Sequence, residues 1–192
     1  MNRVCIILFV CLFHLDLLGQ DNTTQVHKIS IDNCEIQFHV DTSGKYRIVW
    51  QSDTFINVSV NEFSLINGNV FEIIDELENT VVLFQHCGQK SNCSVLLPLK
   101  LSTSEMVFEN VVGYDSINKN LLYLTNTTDE GIIVLNIYNL IMDKVSMVKI
   151  QKVCSAANPM ECIDCFQYEK NKILMYYYGE NNYSIEKKII QL

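Results

Sequence analysis

An internal repeat constrains the fold of this chain more than any other feature of its sequence. Each repeat has a short apolar strand ending at an acidic residue, a polar turn, a strongly apolar strand, a second polar turn and a third strand. The four segments are Ile36–Leu65, Phe71–Leu101, Val111–Leu140 and Ile163–Leu192. Their acidic residues are Asp41, Asp75, Asp115 and Glu169. Because one small sheet cannot bury both of its faces, such a repeat predicts several sheets that stack on one another.

The residue types between the turns favour strands throughout the chain. Runs rich in Val, Ile, Tyr and Phe alternate with Asn, Asp, Gly, Ser and Lys. Residues 104–112 and 136–148 could be drawn as helices, but they are rich in β-branched residues. The extra length before the fourth segment reads as an inserted loop held by cysteines. The sequence thus predicts an all-β fold of about four propeller-like blades. A β-sandwich is the alternative, because its meanders give similar spacings.

One segment carries a recognisable motif. Val112-Gly113-Tyr114-Asp115 is followed by Asn120-Leu121-Leu122-Tyr123-Leu124-Thr125-Asn126. This resembles a blade of the YWTD propellers of low-density-lipoprotein-receptor-type extracellular proteins, with Tyr123 and Thr125 matching and Leu and Asn standing for the Trp and Asp. That family closes a ring of six blades, whereas this chain has sequence for about four, so the completeness of the ring stays open. The resemblance implies an extracellular protein-binding scaffold without catalysis.

Residues 1–19 predict a cleaved signal peptide. Arg3 supplies a positive charge, and Val4–Phe13 is an unbroken apolar run. That run is shorter than the roughly 20 residues that a membrane-spanning helix needs. Residues 20–192 contain no linker rich in Gly, Ser or Pro and no apolar run of spanning length. We therefore expect one secreted, extracellular domain without a membrane span.

Six cysteines lie beyond the predicted signal peptide, and an even number in a secretory chain predicts three disulfides. They are Cys34, Cys87, Cys93, Cys154, Cys162 and Cys165. Cys87 and Cys93 flank a short hairpin turn and are expected to pair. The connectivity of the other four stays open. Cys162-Ile163-Asp164-Cys165 is a CxxC motif, but one such pair without a βαβ pattern does not favour redox or zinc chemistry.

The N-glycosylation triplets and the net charge agree with an extracellular location. Five triplets match the N-glycosylation rule, at Asn22, Asn57, Asn92, Asn126 and Asn182. The formal net charge is −8, and removal of the signal peptide leaves it unchanged because one basic and one acidic residue are lost. An acidic chain without a Lys/Arg patch is a poor candidate for nucleic-acid binding.

The sequence contains no pattern typical of an active site. GxSxG, HExxH and Gly-rich phosphate loops are absent, and His27, His39 and His86 are scattered. The paired carboxylates Asp75/Glu76 and Asp129/Glu130 lie in turns, where solvated charge is the expected role. We expect no enzyme activity, no catalytic residue, no metal ligand and no cofactor. A secreted hydrolase is the least favoured alternative, because triads can assemble from distant residues.

The strongest aromatic cluster is Tyr176-Tyr177-Tyr178 with Tyr183. Strand alternation places Tyr177 opposite Tyr176 and Tyr178, and tyrosine is a favoured contact residue at interfaces. Tyr176, Tyr178 and Tyr183 are therefore a possible interface, although core packing explains them equally well. The sequence predicts a non-catalytic extracellular binding module for a protein or other ligand. A structural component of an extracellular layer is the alternative, and the oligomeric state stays open.

Overall fold

The computed structural model describes residues 23–31, 34–87, 92–125, 132–151, 154, 156, 159–179 and 184–192. These residues form β-strands β1 to β16 and one 3₁₀ turn at Pro159–Cys162, so the predicted all-β class is confirmed. The strands make four antiparallel sheets.

The sheets follow the chain in order. The first sheet contains β1 (Thr23–Ile31), β2 (Cys34–Asp41), β3 (Lys45–Ser52), β4 (Phe55–Val58) and β5 (Phe63–Ser64). The second contains β6 (Glu72–Leu77), β7 (Thr80–His86), β8 (Asn92–Pro98) and β9 (Met106–Phe108). The third contains β10 (Val111–Asp115), β11 (Asn120–Leu124), β12 (Ile132–Asn139) and β13 (Lys144–Gln151). The fourth contains β14 (Ile163–Glu169), β15 (Lys172–Tyr178) and β16 (Ile185–Gln191).

Each repeat segment corresponds to one sheet, and the turn after its acidic residue joins paired strands. The sheets are larger than the repeat predicts, because β1, β9 and β13 add strands outside the four segments. β13 runs through the stretch that the sequence assigned to an inserted loop. That assignment was therefore wrong for Lys144–Gln151, whose Val and Ile residues pair with β12 instead.

The chain divides into two compact units. One contains the described residues up to Val70 together with Lys100–Ser104, and the other contains Phe71–Leu99 and Glu105–Leu192. The first sheet supplies the core of the first unit, where Phe38, Tyr46 and Trp50 are buried. The rings of Phe38 and Tyr46 meet edge to face with centroids 5.9 Å apart.

Within the second unit, the third sheet is covered on both faces. Successive side chains of a strand point to opposite faces, and β11 is buried on both: Leu121 packs toward the second sheet and Leu122 toward the fourth. The cluster shared with the second sheet contains Val82, Leu96, Val111, Leu121 and Tyr138. The cluster shared with the fourth sheet contains Leu122, Leu124, Ile133, Leu135, Ile137, Ile150, Ile173, Met175, Tyr177 and Ile190, with Cys154 and Cys162. Three sheets of this unit are thus stacked face to face.

Gly113 lies at a close approach between the third and fourth sheets. A Cβ atom at this position would overlap the hydroxyl of Tyr168 and would lie 3.6 Å from the ring of Phe166. The glycine of the Val-Gly-Tyr-Asp motif therefore allows β10 to approach the side chains of β14.

A half-buried carboxylate joins the second and third sheets. Lys119 Nζ lies 2.6 Å from Asp75 Oδ2, and the Tyr114 hydroxyl donates to the same oxygen. Burial alone would raise the pKa of Asp75, but the Lys119 ammonium, the Tyr114 hydroxyl and the Glu76 N–H outweigh it. They hold the pKa of Asp75 below its usual range. The expectation of a solvated turn carboxylate was wrong for Asp75, because the next sheet supplies its partners.

A side-chain amide joins the third and fourth sheets. Asn118 Nδ2 donates to the Glu169 carbonyl oxygen at 2.8 Å, and Asn118 Oδ1 accepts from the Asn171 N–H at 3.0 Å. The fully buried Asp115 accepts from the same Asn118 amide at 2.6 Å and so orients it. The acidic residue of this repeat segment is therefore structural.

Candidate binding surface

The aromatic cluster lies on β15 and is divided between the two faces of the fourth sheet. Tyr177 is buried in the cluster shared with the third sheet. Tyr176 and Tyr178 are half-buried and lie on the opposite face, as strand alternation predicts. Leu174 on this face is buried, and Tyr178 also packs against the cluster that contains Tyr177. Tyr183 is outside the described residues.

The neighbouring strand β16 completes this outward face. Lys187 pairs with Tyr176, and Ile185 pairs with Tyr178, so their side chains share a side of the sheet. Ile185 is 55% exposed and Ile189 is 53% exposed. We call the set Tyr176, Tyr178, Ile185, Lys187 and Ile189 the tyrosine face.

Hydrogen bonds and charge hold the tyrosine side chains in place. Tyr176 donates to Gln167 Oε1 at 3.2 Å, and the ammonium of Lys187 lies 5.7 Å from the Tyr176 ring centroid. Tyr178 donates to Asp164 Oδ1 at 3.0 Å. This hydrogen bond, together with the Asp164 charge, raises the pKa of Tyr178 above its usual range. Both rings are thus fixed by contacts within the sheet.

A cavity of about 240 Å³ lies beside β14. It is lined by Asn92, Val112, Met160, Ile163, Asp164, Cys165, Phe166 and Tyr168. Cys165 also pairs with Tyr176, so the cavity and the tyrosine face meet at this residue. The volume is smaller than the roughly 300–1,000 Å³ of typical small-molecule sites. The exposed tyrosine face is therefore the stronger candidate.

Two disulfides are present where the sequence predicted three. The predicted Cys87–Cys93 bond is there, with Cα atoms 5.6 Å apart. Cys154 pairs with Cys162, with Cα atoms 5.5 Å apart. Cys34 is buried and Cys165 is exposed, and neither belongs to these two bonds. Cys34 belongs to the first unit and Cys165 to the second, and the third disulfide stays a prediction.

The two cysteines of the CxxC motif do not form a dithiol pair, because Cys162 is bonded to Cys154. Partial desolvation and the Asp164 carboxylate raise the pKa of the Cys165 thiol. A thiol with a raised pKa holds less thiolate at neutral pH and is a weaker nucleophile. In the part of the chain that the structure describes, no three His, Cys, Asp or Glu side chains are grouped to hold a metal ion.

The two sequons in the described part of the chain are built into strands. Asn57 lies on β4 and is buried, whereas Asn92 begins β8 and is half-buried. Asn92 Oδ1 lies 2.5 Å from His86 Nδ1. The predicted sequons at Asn22, Asn126 and Asn182 lie outside the described residues.

Sequence reasoning found Tyr176 and Tyr178 but missed the residues of β16 beside them. Ile185, Lys187 and Ile189 share their face only because of the β15–β16 register. Residues 180–183 between these strands carry no turn motif that fixes such a register. The alternation of apolar and polar residues in Ile185–Gln191 is also weak, so no pattern in this segment indicates which side chains share a face with the tyrosines.

Among the described residues, no helix has the length and apolar character needed to cross a bilayer. The chain matches no protein-family model, and no curated protein matches it.

Proposed function

We propose that this chain is a secreted, glycosylated, non-catalytic extracellular binding module and that the tyrosine face contacts its protein ligand. The observation that carries the proposal is the contrast between the two sides of β15. Tyr177 is buried against the third sheet, whereas Tyr176 and Tyr178 lie among exposed isoleucines on the other side.

The composition of this face suits protein recognition. Tyrosine supplies a large apolar ring with a polar tip, and such residues dominate the binding energy of many interfaces. Because Gln167 and Asp164 already hold the two hydroxyls, little side-chain freedom is lost when a ligand binds. Exposed Ile185 and Ile189 add apolar area that a partner can bury.

Propeller-like blades are the architecture that we propose for the repeat. A two-sheet sandwich leaves the outer face of each sheet to solvent. The third sheet instead packs against neighbours on both faces, which supports radial stacking of successive blades. The two disulfides support an oxidising compartment and therefore secretion.

The test compares a face variant with a matched control. The full-length protein, secreted from eukaryotic cells, is screened against a panel of purified secreted and cell-surface ectodomains. Affinity for each binder is then measured with Tyr176→Ser/Ile189→Ser and with Ile141→Gln/Met142→Ser, which alters an exposed apolar turn on the third sheet without creating an N-glycosylation triplet. We expect the face variant to lose about tenfold or more in affinity and the control to lose little.

Three outcomes contradict the proposal. Equal affinity of the two variants moves the contact surface elsewhere. Concentration-dependent self-association that only the face variant abolishes, measured by sedimentation, favours the layer component instead. Turnover of generic ester or peptide substrates by the wild type favours the secreted hydrolase.

A further inference from the structure

We infer that the Asn-x-Ser triplets at Asn57 and Asn92 are structural and carry no glycan in the folded protein. The sequence rule identifies an acceptor asparagine and a hydroxyl two residues later, but it does not report what those side chains contact. In both triplets the asparagine and the serine are hydrogen-bonded within the fold.

Both polar atoms of the Asn57 side-chain amide are hydrogen-bonded. Its Nδ2 donates to the Lys100 carbonyl oxygen at 2.6 Å, and its Oδ1 accepts from the Ser102 N–H at 3.1 Å. The side chain is only 7% exposed. Because residues Lys100–Ser104 belong to the first unit, this amide joins them to β4. A glycan on Nδ2 would need the space that Lys100 occupies.

The serine of the same triplet is also buried and hydrogen-bonded within the fold. Ser59 is buried, its hydroxyl donates to the Asn61 carbonyl oxygen at 2.8 Å, and it accepts from the Ile48 N–H at 3.0 Å. Asn57 and Ser59 are two residues apart, so strand alternation directs both side chains to one side. The spacing that defines a sequon is therefore also the spacing of two inward-pointing residues.

The second triplet repeats this arrangement on another sheet. Asn92 Nδ2 donates to the Val111 carbonyl oxygen at 3.1 Å. The fully buried Ser94 hydroxyl donates to the Leu83 carbonyl oxygen at 2.7 Å. Cys93 between them is bonded to Cys87. All three residues of the triplet thus have structural partners, and a glycan on Asn92 would also enter the cavity beside β14.

Glycan occupancy tests this inference directly. The full-length protein is secreted from eukaryotic cells, its folded monomer is isolated, and peptides are analysed after enzymatic deglycosylation in ¹⁸O water. We expect Asn57 and Asn92 to remain without the ¹⁸O label. Substantial labelling of either asparagine in the folded fraction overturns the inference for that site.

Expression in two hosts distinguishes a structural role of Asn57 from a role as a glycan acceptor. Asn57→Ala and wild type are made in eukaryotic cells and in a bacterial periplasm, which forms disulfides but does not attach these glycans. We expect the melting temperature of Asn57→Ala to fall by about 3–8 °C in both hosts, because a buried carbonyl and N–H lose their partner. A loss confined to the eukaryotic protein would instead assign stabilisation to a glycan.

The matched control is Asn79→Ala. Asn79 is an exposed turn asparagine outside any sequon, and its substitution should shift the melting temperature by less than about 2 °C in either host. If Asn57→Ala behaves like Asn79→Ala in the bacterial protein, the structural role of Asn57 is excluded.

Discussion

The third and fourth sheets share a repeat pattern but differ in what covers them. β11 of the third sheet is enclosed by packing on both sides, so each of its side chains has to fit a neighbour. β15 of the fourth sheet is fully covered on one side, at Ile173, Met175 and Tyr177. Its other side is only partly covered, because Leu174 is buried but Tyr176 and Tyr178 are half-buried. The difference indicates that Tyr176 is not needed to fill a core and that Tyr178 contributes to one only in part. Their residue type can therefore serve recognition without a conflict with folding.

The largest expected effect is a loss of core on the enclosed sheet. Leu122 is fully buried between the third and fourth sheets. Leu122→Ala should lower the free energy of unfolding by about 2–5 kcal/mol, because it removes apolar contacts and leaves a cavity. Urea unfolding of the variant and wild type measures this loss. A change below about 1 kcal/mol would contradict the enclosed position of this residue.

The close approach at Gly113 gives a second, smaller effect with a specific rescue. Gly113→Ala should cost about 1–3 kcal/mol, because the added methyl overlaps the Tyr168 hydroxyl. Tyr168→Phe removes that hydroxyl and leaves the next ring atom at an ordinary 3.5 Å. A double-mutant cycle should therefore show that Gly113→Ala costs much less in the Tyr168→Phe background. Equal costs in both backgrounds would show that the overlap is not the cause.

The stabilisation that Asp75 supplies between the second and third sheets should depend on pH. The folded-state pKa of Asp75 is below its unfolded value of about 3.9, so the ionised group stabilises the fold. This stabilisation is complete above the unfolded pKa and is lost as the pH falls through the folded pKa. Asp75→Asn should cost about 1–3 kcal/mol at pH 7 and less at pH 3, which lies below the unfolded pKa, so that the unfolded chain binds the proton.

Urea unfolding at the two pH values measures this difference, with Asp53→Asn in an exposed turn as the control. The control should change stability by less than about 0.5 kcal/mol at either pH. An equal cost of Asp75→Asn at pH 7 and pH 3 would rule out its charge as the source of the stabilisation.

The smallest effect is expected on the tyrosine face. Ile189→Ala and Tyr176→Phe should each change the free energy of unfolding by less than about 0.5–1 kcal/mol, since both side chains retain solvent contact. The same urea measurements as for Leu122→Ala provide the comparison. A cost of 2 kcal/mol or more would show that this face is part of a core, which would remove the reason for proposing it as a binding surface.

Much of the strand order could be predicted from the sequence. The acidic residue followed by a polar turn identifies four hairpins, and strand alternation assigns Tyr177 to the face opposite Tyr176 and Tyr178. The short spacing of Cys87 and Cys93 also identifies one disulfide. These predictions succeed because they depend on residues that are close in sequence.

The remaining features depend on contacts between distant residues. The overlap that makes Gly113 necessary comes from Tyr168 on another sheet, and Asp75 obtains its ammonium partner from Lys119. The pairing of Cys154 with Cys162 was one of several that spacing allowed. The sequon rule likewise could not distinguish Asn57 from an exposed acceptor, because burial of the amide depends on Lys100–Ser104.

Asn118 has a consequence for how this protein can change during evolution. Its amide binds the main-chain carbonyl of Glu169 and the main-chain N–H of Asn171, and it does not contact their side chains through these bonds. The side chains of the neighbouring turn can therefore change in charge and size without loss of these hydrogen bonds, provided that the turn keeps its backbone conformation. Mutational tolerance should be unequal across this contact, with Asn118 restricted and the exposed Lys170 free to vary.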